Sequence, residues 1–359
     1  MKRVLLAIGV LSLAGCTMGP NYKRPAIALP TEFRGAAPAG ATPAASLADT
    51  KWQDLFNDPV LNQMVSNALA HNFDLQAAAV RVEEARAQLG ITRANQYPFV
   101  NVDGSYTAAR GSTVGATPIP KGTDTTVAYA QLGAALSWEL DLWGRLRRQT
   151  EASRARYLAT EEAHRDIGVS LVANVMESYF QLLEQDLELT ISHQTQGVAK
   201  NGLSLTELRR DRGAASGLDV RQAEQLLYIA TSQGAAAERN IAQSENLLSL
   251  LQGSVPAGQS RGRKLEEIAL PTQMPAGLPA DLLQRRPDIR EAEQNLIAAN
   301  AEIGAARALY FPQISLGAFF GSQSRLLSNL FTGPAAVYSI APGVTQKVFR
   351  AGQTRNQVR

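Results

Sequence analysis

The chain switches between two hydrophobic periods, and the switches mark its elements. Val60, Leu61, Met64, Val65, Ala68 and Leu69 make a helical stripe, with Asp58 and Pro59 suited to the N-cap and first helical positions. A polar, alanine-rich helix follows, read as capped by Asp74 and running to about Asn95. After Pro98 the period falls to two. Val100, Val102, Gly104 and Tyr106 share one face, and Asn101, Asp103, Ser105 and Thr107 the other. Beyond the loop RGSTVGATPIPKGTDTT the alternation returns. Ala128, Ala130, Leu132, Ala134, Leu136, Trp138, Leu140 and Leu142 face one way, and Tyr129, Gln131, Gly133, Ala135, Ser137, Glu139 and Asp141 the other. This strand is longer than the roughly 9–11 residues a bilayer requires. The bland alternative is a half-buried hairpin of a water-soluble sheet, which alternates in the same way.

From about Gly144 to Arg210 the chain reads as one helix, with a seam at Val169, Val172, Met176, Tyr179, Leu183 and Leu187. Some 65 residues of helix extend about 100 Å, more than a single globular domain accommodates. A turn at RDRGAASGLD reverses direction, with Asp219 a cap of the returning helix. There Val220, Ala223, Leu227, Ala230, Gly234, Ala237, Ile241, Ser244, Leu248 and Leu251 keep three-four spacing. That is a coiled-coil seam. Small residues at its middle allow close helix approach and suit a wall of interdigitated helices. Residues 253–280, with Pro256, Pro271, Pro275 and Pro279, read as a connector.

The second half repeats the first. Residues 74–98, DLQAAAVRVEEARAQLGITRANQYP, match residues 288–312, DIREAEQNLIAANAEIGAARALYFP, at a constant offset of 214 positions. Asp74, Ala85, Ala87, Gly90, Arg93, Ala94 and Pro98 pair with Asp288, Ala299, Ala301, Gly304, Arg307, Ala308 and Pro312. A second hairpin follows. Ile314, Leu316, Ala318 and Phe320 alternate with Gln313, Ser315 and Gly317; then Tyr338, Ile340, Val344 and Val348 alternate with Ser339, Ala341, Gly343, Thr345 and Lys347. Pro342 implies a bulge or bend in the last strand. A repeat longer than solenoid periods points to duplication of a whole structural half.

Charge changes little in this picture. The net charge is +3, and basic residues are scattered among acidic ones, so nothing points to nucleic acid. The N-terminus matters more. Lys2 and Arg3 precede the apolar run Val4–Leu13, which is too short to span a bilayer, and the run ends in Leu13-Ala14-Gly15-Cys16. Residues 1–15 are read as a lipoprotein signal peptide and Cys16, the sole cysteine, as the lipidated residue; a cleaved signal with a chance cysteine is the alternative. Residues 16–57 then form a tether rich in Pro, Ala, Thr and Gly. With no apolar run of transmembrane length outside the leader, a membrane span must be a closed barrel, and four strands cannot close one. Several chains would have to contribute strands.

Candidate chemistry is sparse. His71, His164 and His193 lack metal-ligand spacing, and Glu83-Glu84 and Glu161-Glu162 read as solvated helix faces, so no catalytic or metal site is expected. Glu139 and Asp141 are expected on the inward face near a strand end, where they could ring a lumen and favour cations. Trp138 and Trp143 stand where interfacial aromatics belong.

The lipobox, WQDLFNDPVLNQMVSNAL, the NQYP and LYFP junctions, WELDLWGRLR with its counterpart VFRAGQTR, and RGAASGLDV at a hairpin tip together resemble the TolC-like outer-membrane factors of the lipoprotein OprM/NodT type. The resemblance covers essentially the whole chain. It implies a mainly α protein with a membrane β-hairpin part: a homotrimer whose 12-stranded outer-membrane β-barrel takes four strands per chain and continues into a periplasmic α-helical barrel. It implies the exit channel of a tripartite efflux pump for drugs or other small solutes, joined to an inner-membrane transporter by a periplasmic adaptor. No cofactor is implied beyond the covalent lipid on Cys16. The positions matching the family's adaptor-contact tip are Arg212, Gly213, Ala214, Ala215 and Ser216. A type I protein-secretion duct of the same fold, or a lipid-anchored coiled-coil tether, are the alternatives. The domain reading is a first repeat over 58–252, with its β-hairpin at about 97–142 and its helical hairpin at about 144–252, then the connector. A second repeat over 281–359 follows, with its β-hairpin at about 311–350. Family members continue into a second helical hairpin, whereas this sequence ends at Arg359. The expectation is therefore a fragment or truncated product, with gating residues unassigned.

Overall fold

The structure is a computed structural model and describes residues 17–26, 53, 56–112, 114, 122–268 and 283–358. The leader, Cys16, most of the tether, the middle of the first strand loop and the later part of the connector lie outside the described residues. The rest divides into two compact units. One draws on Met1–Pro25, Glu83–Ala159 and Ala292–Arg359, the other on Ala26–Val82 and Thr160–Glu291.

The elements run α1 (Pro59–His71), α2 (Phe73–Ala94), β1 (Phe99–Arg110), β2 (Thr126–Leu140), α3 (Arg145–Asp211), α4 (Gly217–Leu251), α5 (Pro287–Ala308), β3 (Gln313–Ser324), β4 (Ala336–Thr345) and α6 (Gln353–Val358). Helix α1 starts where expected: the Asp58 carboxylate accepts from the Val60 and Leu61 N–H groups, and Pro59 fills the first position. The cap of α2 is not Asp74, which lies inside the first turn. It is Asn72, whose Oδ1 accepts from Leu75 N at 2.9 Å while its Nδ2 donates to Leu251 O at 3.0 Å.

In the helical unit, Leu61, Met64, Val65 and Ala68 of α1 pack on Leu171, Val175, Tyr179, Leu182 and Leu183 of α3 and on Leu248 of α4. Each fully buried large side chain here contributes roughly 1.5–3 kcal/mol. The α3 stripe is shifted from the expected seam. Val169 is left exposed, while Leu171 and Val175 point inward, because α1 rather than α4 alone decides which face is covered. The α4 seam lies where the three-four spacing puts it, and its small residues let α3 come close. Ser244 Oγ donates to Gln185 Oε1 at 2.9 Å, and Gly234 faces Ser192.

In the sheet unit the four described strands are antiparallel in the order β1-β2-β3-β4. A second core joins α3 to α5 through the buried Ala152, Ala155, Ala298 and Ala301, with Ile297 packed at its edge. The last strand carries no bulge. Its register stays constant from Gln313↔Thr345 to Ser322↔Ala336, with Pro342 opposite Leu316. β4 is the last strand of the sheet within the chain, and Pro342 takes its place in it without an extra residue.

Candidate functional site

Register converts four separate alternations into two continuous surfaces. Val100, Val102 and Tyr106 stand opposite Leu136, Ala134 and Ala130. Leu136, Ala134 and Trp138 stand in turn opposite Ala318, Phe320 and Leu316, and these face Ile340, Tyr338 and Pro342. One face is thus apolar across all four strands. The other carries Asn101, Asp103, Ser105, Gln131, Ser137, Glu139, Gln313 and Ser315. Val102 and Tyr338 are each 78% exposed and Phe320 is 72% exposed. A sheet showing its greasy side outward needs an apolar solvent. On the polar face, the Gly133–Gly321 pair makes room for Phe319. A Cβ on Gly133 would meet the Phe319 ring and the Phe320 carbonyl, each at 2.6 Å.

The duplicated unit repeats in its hydrogen bonds. Helix α2 ends with Gln96 N→Arg93 O (3.1 Å) and Tyr97 N→Ala94 O (3.0 Å); α5 ends with Tyr310 N→Arg307 O (3.2 Å) and Phe311 N→Ala308 O (3.1 Å). The Trp138 indole donates to Gln96 O at 3.1 Å, and the Gln346 amide donates to Tyr310 O at 3.2 Å. Each hairpin then hands over to a helix through a glycine in the left-handed region, Gly144 at φ +75° and Gly352 at φ +81°.

The first junction carries further bracing. Arg145 holds Glu139 with both arms, at 3.0 and 2.7 Å, and the Asp141 carboxylate accepts from Arg147 N at 2.8 Å. Strand β2 ends at Leu140, so Asp141 is not on it. Each acid is thus paired with an arginine at the start of α3, and the two pairs fasten the end of the hairpin to that helix. The Trp143 indole donates to Pro312 O at 2.8 Å and its ring stacks on Phe311 at 4.9 Å. The buried Arg148 donates to Met18 O (3.1 Å) and Asn21 Oδ1 (2.7 Å), and Met18 N donates to Trp143 O (3.1 Å). The chain just after Cys16 is thereby laid across α5, where Gly19 crosses Gly304 backbone to backbone.

The hairpin tip is built by caps. Ala214 N donates to Arg209 O and Gly213 N to Arg210 O, both at 2.8 Å, with Gly213 at φ +75°; this is a Schellman close. Ser216, not the expected Asp219, is then the N-cap of α4, with Asp219 at the third helical position closing a capping box. Its N–H and hydroxyl donate to the Asp219 carboxylate at 2.7 and 2.8 Å, and Asp219 N donates back to Ser216 Oγ. The Ser216 N–H and then its hydroxyl hold the Asp219 carboxyl below its ordinary value. Arg212, Gly213, Ala214 and Ser216 are exposed and Ala215 is half-buried.

Comparison with known proteins decides what this architecture is. The family described as outer membrane efflux protein matches residues 64–254 and 278–359, and the two stretches fall on the two copies of the repeat. The chain belongs to the outer membrane efflux protein family. It is 37% identical over 358 residues to the probable outer membrane lipoprotein SilC of Salmonella typhimurium, covering 99% of this chain and 76% of SilC. It is 39% identical over 350 residues to the solvent efflux pump outer membrane protein SrpC of Pseudomonas putida, covering 96% and 74%. The outer membrane channel MtrE of Neisseria gonorrhoeae superposes with a TM-score of 0.79 at 30% identity, over 96% of this chain and 75% of MtrE.

As an outer membrane efflux protein, the chain is an outer-membrane efflux channel with the TolC-like fold, and its family is one of channels, not enzymes. Among the described residues no helix is long and apolar enough to cross a membrane. Among them, too, no three His, Cys, Asp or Glu side chains gather as a metal site.

One node of this efflux protein has no signature in the sequence. The connector residues after Gly253 double back over α3 and α4. There Tyr179 Oη donates to Asp58 Oδ2 at 2.7 Å, Gly262 N donates to Tyr179 Oη at 2.9 Å, and Arg263 N reaches Asp58 at 3.3 Å. Burial pushes the Asp58 carboxyl up, but the hydrogen bonds from Tyr179, Arg263, Leu61 and Val60 outweigh it, and its pKa ends below the usual value. Burial, and then Asp58, push the Tyr179 phenol up to about 12. Beside the node, Arg261 bridges Asp186 of α3 and Glu245 of α4. Asp58 was legible as a cap and Tyr179 as a seam residue; nothing in their spacing ties either to Gly262.

Proposed function

We propose that three copies of this chain close one twelve-stranded wall and that the resulting duct exports small solutes from a tripartite pump. The observation that carries this reading is the sheet: an outward apolar face continuous over four strands, with β1 and β4 as free edges. Four strands enclose no pore, and open edges cannot face lipid, so the edges must meet those of further copies. In this reading a lipid on Cys16 anchors the segment held by Arg148, and Trp138 and Trp143 mark the periplasmic boundary of the outer membrane. Arg212, Gly213, Ala214, Ala215 and Ser216 are the surface offered to a periplasmic adaptor. Solvent export is a property of SrpC; for this chain the substrate class extends to small solutes in general.

A pair of arginine substitutions tests the wall. Val102→Arg, on the apolar face at mid-strand, costs about 2–4 kcal/mol in lipid. It should abolish heat-modifiable trimers in outer-membrane extracts. Ser105→Arg, on the polar face, should leave the trimers intact. The reverse pattern would overturn the assignment of faces.

A further inference from the structure

The loop between β3 and β4 is built from within and apolar on its outside. Leu327–Asn329 and Gly333–Ala335 form two 3-10 turns. Leu326 N donates to Ser324 Oγ at 3.3 Å, and the Thr332 hydroxyl donates to Asn329 O at 2.7 Å. Leu330 and Ala335 are buried and pin the loop. On this frame Leu326, Leu327 and Phe331 stand 61%, 68% and 81% exposed. Single exposed leucines are ordinary, but three large apolar side chains on one self-packed loop require a covering.

Position indicates which covering. The loop leaves the end of the sheet remote from the helix junctions, beyond the last large apolar pair of the outward face. The last large apolar pair on that face is Phe320–Tyr338, followed by Ser322 opposite Ala336, then Ser324 and Leu326. Arg325 stands beside Leu326 and Leu327, exposed and with no ion-pair partner among the described residues. No carboxylate occurs anywhere from Ile303 to Arg359. A lone cation among exposed apolar side chains, next to the end of an apolar wall, matches a ligand with a phosphate beside acyl chains.

We propose that residues 325–331 dock a phosphate-bearing lipid of the outer leaflet, extending lipid contact beyond the strands. The proposal rests on the barrel reading, and the test separates the two. Phe331→Trp and, separately, Val102→Trp are introduced into the full chain. Each protein is reconstituted in vesicles of phosphatidylcholine and a glycolipid with brominated chains, the glycolipid being either bis-phosphorylated or dephosphorylated, and its emission is compared with that of the parent protein. The expected result is quenching of the Val102→Trp signal in both vesicles. Quenching of the Phe331→Trp signal should be at least twofold stronger with the phosphorylated lipid, and Arg325→Gln should remove that increment. Phe331→Trp emission open to aqueous iodide would overturn the docking. Blue-shifted emission indifferent to brominated chains would assign the loop to a neighbouring copy instead. Equal quenching in both vesicles would overturn the role of phosphate. An unquenched Val102→Trp would bring down the barrel reading, and the loop with it.

Discussion

In the first hairpin, Glu139 near the end of β2 and Asp141 just beyond it meet Arg145 and Arg147 at the start of the next helix. In the second, the equivalent stretch runs from Gln346 through Lys347 and Arg350 to Gln353 and contains no acid. The backbone solution is nevertheless the same in both: the same paired carbonyls at the helix end, a side-chain donor to the helix-end carbonyl at the matching position (Trp138, then Gln346), and a left-handed glycine before the next helix. The duplication preserved the hydrogen bonds of the chain path and let charge diverge. Those bonds satisfy backbone groups that a half-buried junction cannot leave unpaired. The charges were free to change because each acts on its surroundings, and the surroundings of the two copies differ.

Glycines sharpen that comparison most. Gly133→Val should abolish pairing of β2 with β3 and with it all heat-modifiable trimer, because the added side chain meets the Phe319 ring and the Phe320 carbonyl. Gly104→Ala, on β1, finds its nearest foreign atom at 3.4 Å and should assemble normally. The next largest contrast lies between equivalent positions of the repeat. Around Gly90 nothing lies within 4 Å of an added Cβ, whereas at Gly304 the Met18 carbonyl is 2.6 Å away. Gly90→Ala should therefore stabilise its helix by roughly 0.5–1 kcal/mol. Gly304→Ala should destabilise by about 1–3 kcal/mol as the N-terminal segment is pushed off α5. Thermal gel-shift midpoints that move in the same direction would mean the N-terminal segment does not cross α5 in the assembled protein.

The connector node lies outside both copies of the junction and supplies a control. Tyr179→Phe removes a buried hydrogen bond and should cost about 1–3 kcal/mol. It should also change the alkaline limb of stability. The unfolded phenol ionises near pH 10, while the folded one is raised to about 12. Its contribution is complete below the first value and lost as pH rises through the second, so the variant should lose less stability between them. Asp58, shifted the other way, contributes above the ordinary carboxylate range and loses that contribution as pH falls through its depressed value. Asp58→Asn should flatten the acid limb. Both can be followed by circular dichroism of the helices. The smallest expected effect concerns the acids of the first junction. With Arg145 and Arg147 beside them, Glu139→Gln with Asp141→Asn should leave ion selectivity in planar bilayers nearly unchanged. A strong loss of cation preference would place them in the lumen.

Much of this was readable from residue order. Alternation in four stretches, the offset repeat, the cap at Asp58, the turn at RDRGAASGLD and the three-four seam of α4 are all local patterns. A local pattern is set by one element's own geometry, so one dimension suffices to see it. Tertiary structure decided what depends on a neighbour. Asn72 rather than Asp74 caps α2, and only Asn72 reaches the Leu251 carbonyl. Val169 is exposed although it fits the seam, because α1 covers the adjacent face. Pro342 makes no bulge, since β3 and β4 pair residue for residue across it. Above all, the order β2-β3 joins the two copies, and the register at Ala134↔Phe320 and Trp138↔Leu316 aligns their apolar positions on one side. A slip of one residue would have mixed the faces. Periodicity assigns each side chain to a side of its own strand; only pairing between residues far apart in the chain makes those sides a single surface.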